Sequence, residues 1–535
     1  MKSPFADRIG TNYVPSDSEI EQIQVDLASH AEELALIDAR IRELSEQRDK
    51  LQTYIHGHKA LISHTRRLPR DILEEIFLKC IPSGRCAVIS VKEAPFLLCR
   101  VCSAWRTIAM STPKLWASLH IPLGFILAEG SRPSVVFEWL NRAAACPLSL
   151  SIIDSYGWGD IPAGVDHDIQ EFVQSLVSYS ARWHSVDFRN TSSAMAKGLA
   201  EISQAPQSLT SFQFFGDISL LSSLNLLNGP SLRTVELHSD GDLDPALSLP
   251  VAWHQLTHLS LTGSITAGVS IMDLIILLGR CPQLVSIFVS LGGDDLTGAA
   301  TGGSTSTVLP FLDTFHIPQF RLVPSIALKY ITDCVSMPQL RHLHVPTTPS
   351  DSDPADFSFA SIGTNLPVLE DLTLRLSAIP SQSLAETLKS FPALTRLIVD
   401  AYSWAPTNGG TDLCRTTQVM ETLLDTSICP RLEELVVLQT AFVSRATLDA
   451  FIDCRMEAPH RLQRLFIKFQ EPPPGNRGIL ISELSATETE SYLSRGLDIS
   501  IMRPAPPSAS LTPWTGLPAE DRPANPTPLW RGGFS

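Results

Sequence analysis

The chain has 535 residues, of which 44% are hydrophobic and 18% are charged, and its formal net charge is −15. This length exceeds what one compact core normally holds, so we expect more than one domain. The acidic balance argues against a nucleic-acid partner, because such a surface needs clustered Lys and Arg. The 10 cysteines stand mostly isolated, which is typical of reduced thiols rather than of a disulfide framework.

The N-terminus gives no sign of targeting to a membrane or to secretion. Residues 1–10 lack the apolar run of a secretory signal. The most apolar stretch, 271–278, is far shorter than the ~20 residues that a spanning helix needs, and it contains Asp273. We therefore expect no membrane partner and an intracellular location, cytoplasmic or nuclear.

Residues 1–15 are predicted to be disordered, and residues 16–63 are predicted to form a coiled-coil helix. When Ile20 is position a of a heptad, 10 of the 13 a and d positions up to Ile62 are Ile or Leu. A heptad pattern sustained for this length indicates a coiled coil. Charges at the e and g positions are mixed, so they encode partner choice weakly. Two interpretations stay open: self-association through this helix, or a helix that packs back on its own chain.

Residues 64–120 carry two short amphipathic patterns. The first begins at Leu68-Pro69 and continues with apolar residues at steps of three and four; they are Ile72, Leu73, Ile76, Phe77 and Cys80. The second places Leu97, Leu98, Val101, Cys102, Trp105 and Ile108 on one face of a single predicted helix. A module of about 50 residues cannot bury two such stripes by itself, which predicts that another surface covers them.

These residues resemble the F-box motif, and most closely that of the large F-box family of mushroom-forming fungi. The resemblance rests on Leu68-Pro69, on the CxxW element Cys102 to Trp105, and on Pro113-Lys114-Leu115-Trp116. Proteins of that family often carry a heptad helix upstream and a degenerate repeat region downstream, and both patterns occur here. The stretch 81–95 departs from the family because it is longer than the usual turn between the first two F-box helices. We expect it either to distort the docking surface or to form a tolerated surface loop.

The resemblance implies a substrate-recognition adaptor of a Skp–cullin–F-box ubiquitin ligase. The adaptor is not an enzyme and needs no cofactor; it docks on a Skp-type subunit and, through it, on a cullin, while another region binds a protein client. The implied docking residues are Leu68, Pro69, Ile72, Leu73, Ile76, Phe77, Val101, Cys102 and Trp105. An alternative from another class is a coiled-coil and repeat scaffold that binds Skp or other proteins without ligase assembly.

Residues 145–470 contain a repeated strand-like unit of the LxxLxL type. Eleven units recur, and they are anchored at Trp183, Leu209, Leu232, Leu256, Leu284, Leu312, Leu340, Leu369, Leu394, Leu432 and Leu462. The spacing of 23 to 30 residues, with one gap of 38, is typical of leucine-rich repeats. Helix-like runs precede several of the units. The fold class predicted from the whole sequence is therefore multidomain: an all-α N-terminal region, made of a long coiled-coil helix and an F-box three-helix module, followed by an α/β leucine-rich-repeat-like solenoid.

Residues 471–535 are rich in proline and are predicted to form a largely disordered tail. The Gly-, Ser- and Thr-rich stretch 291–309 is predicted to be a mobile loop. Three patterns imitate metal or nucleophile sites: Cys99 with Cys102, Asp240 with its alternating acidic neighbours, and isolated serines. Each lacks the remaining ligands or an identifiable base, so we predict neither a metal site nor a catalytic residue.

Overall fold

We describe the fold from a computed structural model of the chain. The structure describes residues 4–62, 64–128, 132–154, 165–239, 241, 243–263, 268–292, 307–317, 324–345, 360–363, 365–375, 384–400, 415–440, 443–469 and 486–502. The chain divides into two compact units, Met1–Ile76 and Phe77–Ser535. No helix among the described residues combines the length and the apolar character that crossing a membrane requires.

The first unit is dominated by one long helix, α1, Asp17–Leu61. The Glu19 carboxylate caps the start of this helix, because it accepts hydrogen bonds from the Ser16 N–H and hydroxyl at 2.8 and 2.9 Å. Arg8 and Tyr13 also donate to Glu19, so the described part of the segment predicted as disordered, 4–15, is tied to the start of α1. These hydrogen bonds lower the pKa of Glu19 to about 2, and the two from Ser16 have the largest effect.

The predicted long helix is confirmed, and the apolar positions of its heptad pattern are largely exposed. After α1, a 3-10 turn over His64–Arg67 leads to helix α2, Arg70–Lys79, which crosses the boundary between the two units. Pro69 precedes the first turn, where its missing N–H removes no helical hydrogen bond, and its carbonyl accepts from the Leu73 N–H at 3.1 Å.

The second unit contains the remaining helices. Within the described residues they are α3 Phe96–Cys99, α4 Ser103–Met110, α5 Leu123–Ile126, α6 Ser134–Arg142, α7 Val165–Val177, α8 Ser193–Leu199, α9 Ile271–Arg280, α10 Pro324–Cys334, α11 Ala360–Gly363, α12 Leu384–Lys389, α13 Arg415–Thr422, α14 Arg445–Glu457 and α15 Ala486–Ser494. Helices α9, α10, α12, α13 and α14 correspond to the five helix-like runs that precede predicted strands.

A single parallel sheet of fourteen strands organises the described part of the second unit. Its strands, in spatial and chain order, are β1 Ser118–Pro122, β2 Leu148–Ile153, β3 Trp183–Thr191, β4 Ser211–Gly216, β5 Thr234–Ser239, β6 His258–Gly263, β7 Ser286–Val289, β9 Thr314–His316, β11 His342–Val345, β12 Asp371–Arg375, β13 Arg396–Asp400, β14 Glu434–Thr440, β15 Arg464–Phe469 and β16 Asp498–Met502. Two further short strands, β8 Thr307–Val308 and β10 Val335–Ser336, pair in parallel with each other outside this sheet.

All eleven predicted units form strands of this sheet, which confirms a parallel repeat architecture. In most of the strands from β4 onward the second and fourth residues point into the core and stack on their equivalents in the next strand, as Leu372 does on Leu397 and Leu374 on Val399. The anchor residue three positions before the middle leucine is buried as well. A strand and a helix cannot bury these side chains alone, so neighbouring copies supply the core.

The sheet extends beyond both predicted limits of the repeat region. At its start, Trp116, Leu119 and Ile121 repeat the same spacing and are fully buried, so the end of the F-box-like motif is also the first anchor of the sheet. At its end, α15 and β16 add another unit, and β16 pairs in register with β15. The predicted disordered tail, 471–535, is therefore wrong for 486–502, where α15 and β16 are ordered by pairing with β15. The rest of that tail and most of the predicted mobile loop 291–309 lie outside the described residues.

The long stretch 81–95 covers the outer edge of β1. Ala87, Val88 and Ile89 are buried, and Val88 forms a parallel bridge to His120, whose N–H donates to the Ala87 carbonyl at 2.7 Å. A half-buried ion pair between Arg85 and Glu93, at 2.8 Å, closes this segment. The segment is therefore not the predicted surface loop but a packed cap, which protects the outer edge of the sheet; its predicted effect on the docking surface stays a prediction.

Candidate functional site

Five of the nine predicted docking residues belong to the first unit, and they lie on α2 or just before it. Ile72 and Ile76 are one helical turn apart and remain 45% and 41% exposed, whereas Leu73 is only 6% exposed. Pro69 is exposed and Leu68 is half-buried. Ile72 and Ile76 lie one turn apart at one edge of the broad apolar face of the helix, whereas Leu73 lies nearer the middle of that face. This helix therefore presents two large aliphatic side chains to solvent.

In the second unit, Phe77 is fully buried and its ring lies 4.8 Å from that of Trp105, tilted by 56°. Trp105 and Cys102 are half-buried, and Val101 is 56% exposed. Phe77 thus serves as a packing residue, as does Leu73 in the first unit. A partner can reach the other seven predicted residues, and the docking role of each stays a prediction.

The prediction of one helix spanning Leu97 to Ile108 is wrong. The structure has two helices, α3 and α4, separated at 100–102. Cys102 is extended, with φ −160° and ψ 171°, and its sulfur accepts a hydrogen bond from the Trp105 N–H at 3.5 Å. A residue that caps the N-terminus of α4 cannot also lie within a helix. Val101 consequently stands in the turn before α4 rather than on a helical stripe.

The Pro113–Trp116 part of the motif belongs to the core. The indole N–H of Trp116 donates to the Ala109 carbonyl at 2.9 Å, and its ring meets those of Phe96 and Trp139 edge-on at 5.6 and 4.9 Å. The Arg142 guanidinium lies 5.0 Å from the same ring. These contacts fasten the helices α3, α4 and α6 to the turn that leads into the first strand.

The outward face of the parallel sheet is a second candidate surface. The first residues of the last six strands form a charged row, which consists of His342, Asp371, Arg396, Glu434, Arg464 and Asp498; the five residues after His342 alternate in charge. Arg396 contacts Asp371 at 3.2 Å and Glu434 at 3.3 Å, and Arg464 contacts Glu434 at 3.6 Å. The row lines an open groove of about 610 Å³ together with Glu370 and Glu433. Carboxylates outnumber guanidinium groups in this groove.

Aromatic rings occupy the middle of the same face. Phe288, His316 and His344 hold the third position of three neighbouring strands, and their ring centroids are 4.3 and 3.5 Å apart. Burial, and then the neighbouring His344, lowers the pKa of His316 to about 3. The His316 ring is therefore neutral near pH 7 and stacks between Phe288 and His344, an arrangement suited to packing against a partner rather than to proton transfer.

A polar network lies at the N-terminal end of this face. The Ser151 hydroxyl donates to Asp187 at 3.1 Å and lies 3.2 Å from His120 Nδ1, while Arg189 donates to Asp187 at 2.8 Å. Burial raises the pKa of Asp187 and also that of Glu236, where Asp187 adds to the effect. In a nucleophilic triad the imidazole stands between serine and carboxylate, whereas here the serine stands between the other two. The network joins strands β1 to β3 and lacks the order of a catalytic relay.

Sequence reasoning missed the charged row and the aromatic stack, although it identified every strand concerned except β16. The signal is present in the sequence, because each member of the charged row immediately precedes a core residue such as Leu372, Leu397 or Leu435. Its alternation becomes visible only when the strands are aligned in register.

Comparisons with known proteins do not identify a family. No protein-family model matches the chain, and no curated protein matches it. Among solved structures, the chain is similar to one described as the crystal structure of the TLR13-ssRNA13 complex, with 14% identity and a TM-score of 0.28. The match covers 53% of this chain and 34% of that one, so the chain spans about a third of the length of that protein.

Proposed function

We propose that the chain is a non-catalytic adaptor that docks on a Skp-type subunit through residues 68–105 and holds a protein client on its repeat sheet for ubiquitination. The observation that supports docking most is that Ile72, Ile76 and Val101 stay exposed within segments that follow the F-box motif. Exposed aliphatic side chains of this size favour a partner that covers them.

The outward face of the repeat sheet is the surface proposed for the client. Its leucine-rich-repeat-like solenoid presents the charged row and the aromatic stack on neighbouring strands. Binding there would hold the lysines of a client close to a ubiquitin-loaded enzyme, so the adaptor would act by proximity and would transfer nothing itself. Such an adaptor works inside the cell, in the cytoplasm or the nucleus.

Copurification tests this proposal and separates it from the scaffold alternative. The tagged full chain is coexpressed with a Skp-type subunit and a cullin, and both are expected in the eluate. The variant Leu68→Ala with Pro69→Ala should lose both. A matched control replaces another exposed proline and its aliphatic neighbour, Pro367→Ala with Val368→Ala, in a turn of the repeat region, and it should retain both.

Two results count against the adaptor. Retention of binding in both double variants would remove the docking assignment, whereas loss in both would show only that the variants misfold. Copurification of Skp without a cullin would favour the coiled-coil and repeat scaffold.

A further inference from the structure

The apolar seam of α1 is an unoccupied surface in the first unit. The seam comprises the a and d positions of the heptad pattern, and its Ile and Leu members are mostly between 38% and 74% exposed along a helix of 45 residues. Such a helix is about 68 Å long at ~1.5 Å per residue. An isolated helix gains little stability from propensity alone, and a continuous aliphatic seam normally packs on a partner helix.

We propose that the occupant is a second copy of this chain, aligned antiparallel, so that seam residues whose numbers add up to 85 face each other. This alignment pairs twelve of the thirteen seam positions and leaves only Ile20 without a partner. Nine of the twelve are aliphatic. At roughly 60 Å² of apolar surface for each covered side chain, eighteen such residues in a dimer bury on the order of 1,100 Å². A specific interface needs about 1,000 Å².

The polar residues of the seam exclude the parallel, in-register alternative. That alignment would place Arg48 against Arg48 of the other copy, and each of His30 and His58 against itself. It would also bring Glu33, at position g, beside Asp38, at position e of the next heptad, and would do so on both sides of the dimer. Like charges at these positions destabilise a coiled coil.

The antiparallel alignment places each polar seam residue opposite an aliphatic one. The facing pairs are Arg48 with Ile37, His30 with Ile55, His58 with Leu27, Leu34 with Leu51, Ile41 with Leu44, and Ile23 with Ile62. Pairing with aliphatic side chains requires that the polar groups be satisfied within their own helix. His30 Nδ1 lies 2.8 Å from the Asp26 carbonyl, His58 Nδ1 lies 2.8 Å from the Tyr54 carbonyl, and Arg48 donates to Asp49 at 2.8 Å.

The flanking positions agree with the same alignment. They lie beside the seam, so two g positions face each other when their numbers add up to 87, and two e positions when theirs add up to 83. Glu33 faces Tyr54, Arg40 faces Gln47 and Asp38 faces Ser45, so no like charges meet. An antiparallel alignment shifted by one heptad, in which facing seam residues add up to 78, would instead place Arg40 against Arg40 and Asp38 against Asp38.

A further shift, to a sum of 71, would gain Glu33–Arg40 pairs but would uncover Ile55 and Ile62. An exposed ion pair contributes less than a buried isoleucine. The sum of 85 therefore combines the largest covered seam with the fewest repulsions.

Cysteine cross-linking of the full chain determines both the orientation and the register of the two α1 helices in the dimer. In a background where the exposed Cys80 is replaced by serine, Leu34→Cys and Leu51→Cys are prepared with tags of different size. After mild oxidation, the mixture should give a covalent heterodimer, and neither variant alone should exceed the parent background. Strong cross-linking of either variant with itself would overturn the proposal in favour of a parallel dimer.

Sedimentation of the full chain supplies the second measurement. The wild type should sediment as a dimer at micromolar concentration, twice the 58.5 kDa of one chain. Ile37→Asp, in the seam, should give monomers. The matched change at the neighbouring position, Leu36→Asp, lies outside the seam at a side chain that is 73% exposed, and it should leave the dimer intact. A monomeric wild type, as expected if the seam packs on its own chain, would overturn the proposal, as would an Ile37→Asp dimer. The inference concerns α1 alone and does not rest on the proposed adaptor function.

Discussion

Replacing the exposed isoleucines of α2 should weaken binding of a Skp-type subunit while the chain stays folded. Ile72 and Ile76 are 45% and 41% exposed. Complete burial of an isoleucine contributes about 1.5–3 kcal/mol, so covering the remaining fraction of both contributes about 1.3–2.6 kcal/mol. Because alanine keeps one side-chain carbon, the loss on substitution is about 1–2 kcal/mol. The double variant Ile72→Ala with Ile76→Ala should therefore raise the Kd roughly 5- to 30-fold, since 1.4 kcal/mol is tenfold. The chain should stay folded, because alanine is a better helix former than isoleucine and this difference offsets part of the packing lost within the chain.

Isothermal titration of the purified full chain with a Skp-type subunit measures this effect, and circular dichroism follows the fold. A matched control carries Met272→Ala with Ile276→Ala on α9, a pair with the same spacing and similar exposure, 48% and 53%. The control should bind as the wild type does. An unchanged Kd in the α2 variant, or an equal loss in the α9 variant, would refute the reasoning.

Three further predictions concern the repeat region. Arg455 is buried and donates to the carbonyls of Leu423, Ile428 and Cys429 at 2.8–3.1 Å. Because Arg455→Met leaves these carbonyls without their donor, it should lower the free energy of unfolding by about 3 kcal/mol or more. An unchanged urea midpoint would contradict this prediction. Val88→Asp should uncap β1, which hydrogen exchange over 118–122 would report as faster exchange; unchanged protection there would show that 81–95 is not a cap. The lowered pKa of His316, about 3, means that the unfolded chain takes up this proton first, near pH 6.5. The wild type should therefore lose more stability than His316→Asn as the pH falls from 7 to 4, and equal losses would count against the buried neutral ring.

The repeat sheet was predictable because its signal is local. Three apolar residues within six positions, namely an anchor, a middle residue and a last residue, determine which side chains enter the core. The same pattern recurs in each unit, so the units support one another as a prediction. The unit at β16 escaped notice because Gly496 stands where the other units have an apolar anchor. The first strand escaped notice because Trp116 was assigned to the F-box motif alone.

The candidate docking site was predictable in its residues but not in their exposure. Periodicity places Leu73 and Ile76 on one broad apolar face, yet only the folded chain shows that Leu73 is buried and Ile76 is not. The break at Cys102 also lies beyond periodicity, since an apolar spacing that fits a helix does not reveal a capping side chain. The cap formed by 81–95 depends on its pairing with His120, which is distant in the sequence.

Hydrogen exchange of the full chain, with and without a Skp-type subunit, tests the central claim most directly. The proposed adaptor predicts slower exchange within 70–79 and 97–110 on addition of the subunit, and unchanged exchange in the strands between 183 and 467. Protection confined to the strands, or no protection anywhere, would contradict docking through the F-box-like segment.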